Sequence, residues 1–203
     1  MSEPSPLEAL HAEYAQLHRQ DPNTLTQDQK RSLTIYSAEQ TWRDTGDIAD
    51  TAPRDIADWI RSMAALEAFV RSEGRLPREN RRLPPGAISA EEKRSNNSIR
   101  AQRRSYAAGR LCSYQVRRLL CVPEFSFHPT EDRWRANYAA YAHFTTAHGH
   151  APRLRSTDDA EQALARWAAK TRMARRAGTL SPAKVATLNE LNFWAWGAPG
   201  RRT

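Results

Sequence analysis

Residues 134–153, WRANYAAYAHFTTAHGHAPR, combine most of the local structural signals that this chain contains. Aromatic side chains recur in them at intervals of four, three and three positions, at Trp134, Tyr138, Tyr141 and Phe144. This spacing places them on one face of an α-helix, and so bulky a face must be buried. Gly149 interrupts the pattern and Pro152 prevents its resumption. The stretch therefore predicts a helix that ends near Ala147 and is followed by an extended turn.

Two further helices are predicted after this turn. The second begins near the acidic segment 158–161, whose charges suit a helix N-terminus, and ends at Gly178. Ser181 followed by Pro182 is typical of an N-cap with proline at the first helical position, and it opens the third helix. Apolar and aromatic residues complete this part of the chain: Val185, Leu188, Leu191, Phe193, Trp194 and Trp196. Residues 134–196 thus predict three helices around an aromatic core.

The same pattern occurs earlier in the chain. Six residues recur 75 positions apart: Trp59, Leu66, Phe69, Gly74, Pro77 and Arg78 precede Trp134, Tyr141, Phe144, Gly149, Pro152 and Arg153. Six more recur 69 positions apart: Arg103, Gly109, Leu111, Leu119, Phe125 and Phe127 precede Arg172, Gly178, Leu180, Leu188, Trp194 and Trp196. The additional residues of the first copy fall around the Pro-Pro-Gly sequence at 84–86, where a surface loop can absorb them. The repeat predicts an all-α fold of two tandem three-helix bundles.

The chain divides into three predicted parts of unequal charge. Residues 1–56 form an acidic N-terminal segment with 5 Lys and Arg against 10 Asp and Glu. Residues 57–129, the first repeat, hold 14 against 7, and residues 130–203, the second repeat, hold 12 against 6. The formal net charge of +8 therefore comes from the repeats. A basic excess shared by two copies is the pattern expected for a polyanion partner, although a solvated arginine-rich surface explains the composition equally well.

The N-terminal segment is predicted to be helical. Apolar residues at helical spacing indicate a helix over residues 6–18, and a short helix over residues 37–44 would bury Trp42. Residues 24–33, TLTQDQKRSL, are similar to residues 179–188, TLSPAKVATL. This similarity suggests that the segment is the back half of a degraded third repeat.

Composition excludes several classes of protein. No apolar run approaches eighteen residues, and the N-terminus does not resemble a signal peptide, so we expect a soluble, cytoplasmic protein. The two cysteines, Cys112 and Cys121, have no counterparts in the second repeat, which argues against a disulfide framework or a zinc finger. The histidines His143, His148 and His150 lack an acidic or cysteine partner at ligand spacing. No metal or other cofactor is predicted.

The residues that repeat are similar to those of the helicase-associated domain, a three-helix module found in tandem arrays, often behind bacterial helicase cores. The second copy carries this resemblance through Trp134, Phe144, Gly149, Pro152, Leu164, Trp167, Arg172, Gly178, Leu180, Leu188, Leu191, Trp194 and Trp196. The resemblance covers residues 57–127 and 132–197. It implies a bacterial-type protein that binds nucleic acid with Myb-like helical repeats.

The first copy departs from the family pattern. It has Ser98 where Trp167 stands, and Phe125 and Phe127 replace the closing tryptophans. Its Gln102, Arg103 and Tyr106 nevertheless resemble the family's Q-R-x-x-Y run. The chain contains no G-x(4)-G-K-[ST] phosphate loop, no DExx-type motif and no recognisable Ser-His-Asp or Cys-His arrangement. We therefore expect a free-standing array without a helicase core and without enzymatic activity.

Arginine clusters near the helix ends are the candidate phosphate-binding residues, because guanidinium groups pair with phosphate oxygens and release counterions. The candidates are Arg78, Arg100, Arg103, Arg104, Arg110, Arg153, Arg166, Lys170, Arg172, Arg175 and Arg176. An ion-paired, solvated surface is the alternative interpretation. Gln102 is the candidate for reading a base edge, since its amide can pair with adenine, and an ordinary exposed helix residue is the alternative.

The spacing of the tryptophans favours burial in the core, and only for Trp194 and Trp196 does stacking on unpaired bases compete with it. The preferred function is a non-enzymatic protein that binds nucleic acid, double-stranded DNA in particular, in transcription regulation or DNA maintenance at the nucleoid. The alternative is a protein-interaction adaptor that docks through the basic repeats or the acidic N-terminal segment. In a combined hypothesis, residues 1–56 cover the basic repeats and mimic the charge of DNA.

Overall fold

The computed structural model describes residues 3–78 and 87–197. Over these residues the chain is all-α, as predicted, with eight helices and no strand. The helices are α1 (Pro6–Leu17), α2 (Gln27–Thr45), α3 (Arg54–Glu73), α4 (Ala90–Ala107), α5 (Ser113–Leu120), α6 (Pro129–His148), α7 (Asp159–Arg176) and α8 (Pro182–Asn189). None of these helices combines the length and the apolar character needed to cross a membrane.

The chain forms two compact units, unit 1 over residues 1–127 and unit 2 over residues 128–203. The loop predicted at residues 84–86 lies outside the described residues.

The three helices of unit 2 begin and end as their local sequence predicts. Helix α6 ends at Gly149, which adopts a left-handed conformation with φ of 67°. Asp158 caps α7 by accepting a hydrogen bond from the backbone N–H of Ala160, and Ser181 caps α8 in the same way. The main core cluster joins four buried residues to half-buried aromatic residues around them: Tyr141, Ala168, Leu188 and Leu191, then Trp134, Tyr138, Trp167, Trp194 and Trp196.

Helices α3, α4 and α5 of unit 1 correspond to the first repeat. Because serine is a favoured N-cap residue, the sequence predicts Ser113 as the N-cap of α5. This prediction is wrong: the N-cap is Cys112, and Ser113 is the first helical residue. The backbone N–H of Ser113 donates to the carboxylate of Asp28 in α2, at 3.1 Å. A side chain from another helix thus satisfies a backbone donor at the N-terminus of α5.

The N-terminal helices share one core with the first repeat. The short helix predicted at residues 37–44 is the second half of the longer α2, which begins at a capping box between Thr26 and Gln29. Helix α2 packs against α1, α3 and α5. The buried cluster joins residues of the N-terminal segment to residues of the first repeat: Leu10, Tyr14, Ile35 and Tyr36, then Ile56, Trp59, Ile60, Met63, Leu66, Ile99, Tyr114 and Leu119. Residues 1–56 and the first repeat therefore belong to the same compact unit.

A buried polar network also joins these helices. Arg118 of α5 is fully buried, and its Nε lies 2.8 Å from Oε1 of the buried Glu39 in α2. Its Nη1 lies 2.7 Å from Oε1 of Glu67 in α3. The hydroxyl of Tyr114 donates to Glu39 at 2.9 Å, and burial together with Glu39 raises the pKa of Tyr114. Burying a pair of charges costs desolvation energy. Removing either partner nevertheless destabilises the fold strongly, because the other charge is then buried without a partner.

Candidate nucleic-acid interface

The candidate cations lie mainly on the second helix of each repeat, α4 in unit 1 and α7 in unit 2. At the end of α7, the side chains of Lys170, Arg175 and Arg176 are exposed. Among the described residues, no carboxylate lies within ion-pair distance of these three cations. Arg175 and Arg176 lie in the last turn of α7, where basic residues complement the negative end of the helix dipole. Their charges are therefore placed favourably and remain available to an external anion.

Arg175 lies against a tryptophan. Its guanidinium carbon is 4.1 Å from the ring centroid of Trp196. In unit 1 the position equivalent to Arg175 is Tyr106, and its ring stacks on Phe127, the equivalent of Trp196, with centroids 4.0 Å apart. A guanidinium that stacks by its face keeps the N–H groups in its plane available to donate, so the contact orients Arg175 without consuming its hydrogen bonds.

Arg103 and Arg172 occupy equivalent positions and make equivalent intramolecular contacts. The Nε of Arg103 donates to the backbone carbonyl of Ser126 at 2.8 Å, and the Nε of Arg172 donates to that of Ala195 at 2.5 Å. Each guanidinium also lies over an aromatic ring, at 5.5 Å from Phe125 and 4.9 Å from Trp194 respectively. Both arginines hold the segment that follows the third helix against the second helix.

Arg78 and Arg153 are also equivalent, and both belong to the turn before the second helix. Their backbone N–H groups donate to the buried carboxylates of Glu92 and Glu161, at 2.8 Å and 2.9 Å. The side chain of Arg153 also pairs with Glu161 at 3.0 Å, whereas Arg75 pairs with Glu92 at 2.6 Å. Arg153 thus forms an ion pair with Glu161, whereas in unit 1 the equivalent carboxylate, Glu92, pairs with Arg75 rather than with Arg78. The side chain of Arg78 is exposed.

These contacts lower the pKa of both glutamates. The Ser156 hydroxyl and, after it, the side chain and backbone N–H of Arg153 lower the pKa of Glu161 to about 2. Arg75 and, after it, the backbone N–H of Arg78 lower the pKa of Glu92. The sequence places both glutamates at the start of a second helix, 69 positions apart, where the helix dipole accounts for an acidic residue, but it does not reveal their contacts with the preceding turn. They fix the turn that carries Arg78 and Arg153.

The remaining cations are exposed on the two second helices or next to them. The Nη1 of Arg166 donates to Oε1 of Gln162 at 3.3 Å, and Lys170 lies one turn further along the same stripe of α7. In unit 1, Arg100 and Arg104 are exposed on α4, and Arg110 is exposed just after it. The backbone carbonyl of Arg110 accepts a hydrogen bond from Arg31 at 3.0 Å.

Gln102 lies in the wall of an open cavity rather than on the outer face of α4. Its side chain is half-buried, and its Oε1 is buried without a hydrogen-bond partner among the described residues. The cavity has a volume of about 600 Å³ and is lined by residues of α2, α3, α4 and the start of α5. The sequence contains one signal for this cavity: the first copy has the small residue Ser98 where the second copy has Trp167.

The closing tryptophans pack in the core of unit 2. Trp194 lies edge-on to Tyr141, with centroids 5.3 Å apart, and at the same distance from Trp196. The indole N–H of Trp196 donates to Oδ1 of Asn189 at 2.7 Å. His148 and His150 lie beside the ring of Phe144, and the described residues contain no His, Cys, Asp and Glu cluster that could hold a metal ion.

Residues 131–196 match the sequence model of the helicase associated domain. The match covers the second repeat and includes α7 and its cationic end. No curated protein and no solved structure gives a significant match to this chain. The likeness of the first repeat to the second rests on the paired positions and contacts described above.

Proposed function

We propose that this chain, in which residues 131–196 form a helicase associated domain, is a non-enzymatic protein that binds double-stranded DNA through the end of α7. The observation that carries the proposal is the group of exposed cations, Lys170, Arg175 and Arg176, that have no carboxylate partner among the described residues. Because the phosphate backbone supplies most of the affinity in non-specific DNA binding, such a group is a suitable contact surface.

The charge of unit 2 supports this assignment. Unit 2 contains 12 Lys and Arg against 6 Asp and Glu, a net charge of +6. Unit 1 contains 19 against 17, a net charge of +2, because it includes the acidic N-terminal helices. A net positive unit attracts a polyanion over several ångströms before any contact forms. We therefore assign the leading role to unit 2 and a supporting role to Arg104 and Arg110 in unit 1.

Arg103 and Arg172 contribute differently in this proposal. Each donates its Nε to a backbone carbonyl and lies over a ring, so its first effect is on the position of the closing segment. In unit 2 that segment ends at Trp196, which supports the guanidinium of Arg175. Arg172 thus acts on DNA binding mainly through the position of Arg175.

The test is the salt dependence of binding to a labelled duplex, measured by fluorescence anisotropy. Neutralising one phosphate contributes about −0.9 to the slope of log K against log salt concentration, so removing three contacts should reduce the magnitude of the slope by about 2.7. The variant is Lys170→Ala, Arg175→Ala and Arg176→Ala combined. Single-stranded DNA and RNA of the same sequence serve as competitors and show which nucleic acid is preferred.

A matched control removes three exposed arginines that already pair with carboxylates, Arg54, Arg61 and Arg135. It changes the net charge by the same amount, so a specific contact surface predicts a much smaller change of slope for the control. Equal changes in the two variants, or wild-type binding that does not respond to salt, would contradict the proposal.

A further inference from the structure

Phe193 is an exposed aromatic residue in the segment that follows α8. Its side chain is 55% exposed, whereas the neighbouring Trp194 and Trp196 pack against the core of unit 2. Among the described residues, no other aromatic ring and no cationic group lies against the ring of Phe193. The ring is therefore accessible to an external partner.

The backbone holds Phe193 in an unfavourable conformation. Its φ of 58° lies in the left-handed region, which favours glycine and which a bulky side chain rarely adopts. Two hydrogen bonds fix this backbone: the hydroxyl of the buried Tyr141 donates to the carbonyl of Phe193 at 3.2 Å, and the next N–H along the chain donates to the carbonyl of Leu191 at 3.3 Å. Strained residues persist where surrounding contacts over-determine them, and they are common in ligand-binding sites. The ring is thus held in a fixed position at the surface.

Two arginines of α7 contact the same segment. The Nε of Arg172 donates to the carbonyl of Ala195, two residues after Phe193, and the guanidinium of Arg175 stacks on Trp196, three residues after it. Three residues of extended chain span at most ~11 Å, a distance that a strand of DNA covers in about three nucleotides. The exposed Arg175 can therefore bind a phosphate of a strand whose base contacts Phe193.

The first repeat has the same turn without the ring. Glu124 occupies the equivalent position with φ of 61°, and its side chain is exposed. A carboxylate offers no flat face for stacking, and it repels phosphate. The left-handed backbone is thus common to both repeats, whereas the exposed ring occurs in unit 2, which has the larger net positive charge of +6 against +2.

We propose that Phe193 stacks on an unpaired base of the bound nucleic acid while Arg175 binds a neighbouring phosphate. An exposed ring beside cationic groups is the combination with which proteins bind single strands, and stacking tolerates any sequence because every base has a flat face. The proposal deepens the proposed function and rests on it. It specifies a duplex with an unpaired nucleotide, rather than a fully paired one, as the preferred ligand.

The experiment compares three labelled duplexes of the same sequence by fluorescence anisotropy with the full chain. One is fully paired, the second carries a one-nucleotide bulge, and the third carries the same bulge with an abasic nucleotide. Wild type should bind the second duplex at least about fivefold more tightly than either of the others, which is the lower end of the range for one stacked base. Because the two bulged duplexes have the same number of phosphates, the ratio of their affinities reports the base alone.

Variants of Phe193 separate ring stacking from apolar contact. Phe193→Leu keeps an apolar side chain but removes the flat ring, so the affinity ratio of the two bulged duplexes should fall to about one. Phe193→Tyr keeps the ring and should retain the wild-type ratio. The control is Leu120→Ala, which truncates an apolar side chain of unit 1 that is 54% exposed, and it should leave the ratio unchanged. Should Phe193→Leu fail to fold, Phe193→Gly replaces it, since glycine adopts this φ without strain.

The outcomes separate this proposal from the proposed function. Equal affinity of wild type for the two bulged duplexes, or a wild-type ratio in Phe193→Leu, would overturn the stacking role and leave the binding of paired duplex intact. A preference for the bulged base that depends on Phe193, without any binding of paired duplex, would instead overturn the proposed duplex binding and support stacking. If the chain binds none of the three duplexes, both proposals fail.

Discussion

At the scale of single residues, the arginines of the two repeats separate into those that hold the fold and those that remain available. Arg103 and Arg172 lie among other arginines in the sequence, and the pattern predicts all of these arginines as phosphate contacts. The structure adds a carbonyl partner 23 residues further along the chain for Arg103 and for Arg172. Such a partner is fixed by tertiary packing, so spacing alone could not distinguish Arg172 from Arg176.

This distinction predicts different effects of two similar substitutions. Arg172→Ala removes a charge-assisted hydrogen bond and a cation-π contact, and we expect the free energy of unfolding of unit 2 to fall by about 1–3 kcal/mol. Arg176→Ala, at an exposed position, should change it by less than ~0.5 kcal/mol. Urea denaturation followed by circular dichroism measures both. If both variants unfold at the wild-type midpoint, the contact of Arg172 with Ala195 contributes nothing to stability.

The lowered pKa of Glu161 predicts how the stability of unit 2 depends on pH. Its ordinary value is 4.5 and its folded value is about 2. Between these values the unfolded chain binds the proton more readily, so the stabilisation is complete above pH 4.5 and is lost as the pH falls towards 2. Glu161→Gln should therefore lower the melting temperature at pH 6 and have little further effect near pH 2. Glu190→Gln, an exposed control, should follow the wild-type pH dependence.

At the scale of secondary structure, the turn after each third helix has the same unusual backbone. Glu124 and Phe193, 69 positions apart, have φ of 61° and 58°, and they are the non-glycine residues with positive φ among those described. The next residue in each copy closes the turn by donating its N–H to a carbonyl three residues back, Val122 in unit 1 and Leu191 in unit 2. The repeated geometry shows that the two copies share backbone conformation as well as helix order.

Glycine should relieve the strain at Glu124. A residue with a Cβ atom pays about 1–2 kcal/mol in the left-handed region, and the side chain of Glu124 is exposed. We expect Glu124→Gly to raise the free energy of unfolding of unit 1 by about 1 kcal/mol, measured by urea denaturation. The control is Glu190→Gly at a position with φ of −80°, where glycine should destabilise the protein. A loss of stability in Glu124→Gly would show that the turn is not strained.

Helix ends were predictable where the signal is local, and unpredictable where another helix supplies it. The caps Asp158 and Ser181 and the stop at Gly149 follow from the sequence alone. The start of α5 depends on Asp28, which is 85 residues away from Ser113. The cavity of unit 1 also depends on a distant part of the chain, because α2 forms part of its wall. Only the small residue Ser98, at the position equivalent to Trp167, is visible in the sequence. The candidate phosphate contacts stay predictions.

At the scale of the whole molecule, the structure changes how the net charge is divided. In the sequence, the acidic segment 1–56 is separate from the first repeat, and the two repeats are equally basic. Packing places the segment in unit 1, where Glu13 pairs with Arg117 and Glu39 pairs with the buried Arg118. Deleting residues 1–56 would remove part of the core of unit 1, so a deletion cannot test whether their charge screens the repeats.

The unequal charges, +2 for unit 1 and +6 for unit 2, predict unequal roles in DNA binding. The comparison is between Lys93→Ala, Arg94→Ala and Arg104→Ala in α4 and the triple variant of Lys170, Arg175 and Arg176 in α7. Both remove three exposed cations from a second helix. Since the potential around unit 2 is more positive, its triple variant should lose several times more duplex affinity at low salt, and the difference should shrink as salt screens both units.

Anisotropy titrations at three salt concentrations measure this difference in affinity, with thermal melts to confirm that both variants are folded. Equal losses at every salt concentration would mean that the acidic N-terminal helices do not weaken the first repeat, and that the two repeats bind DNA as equals.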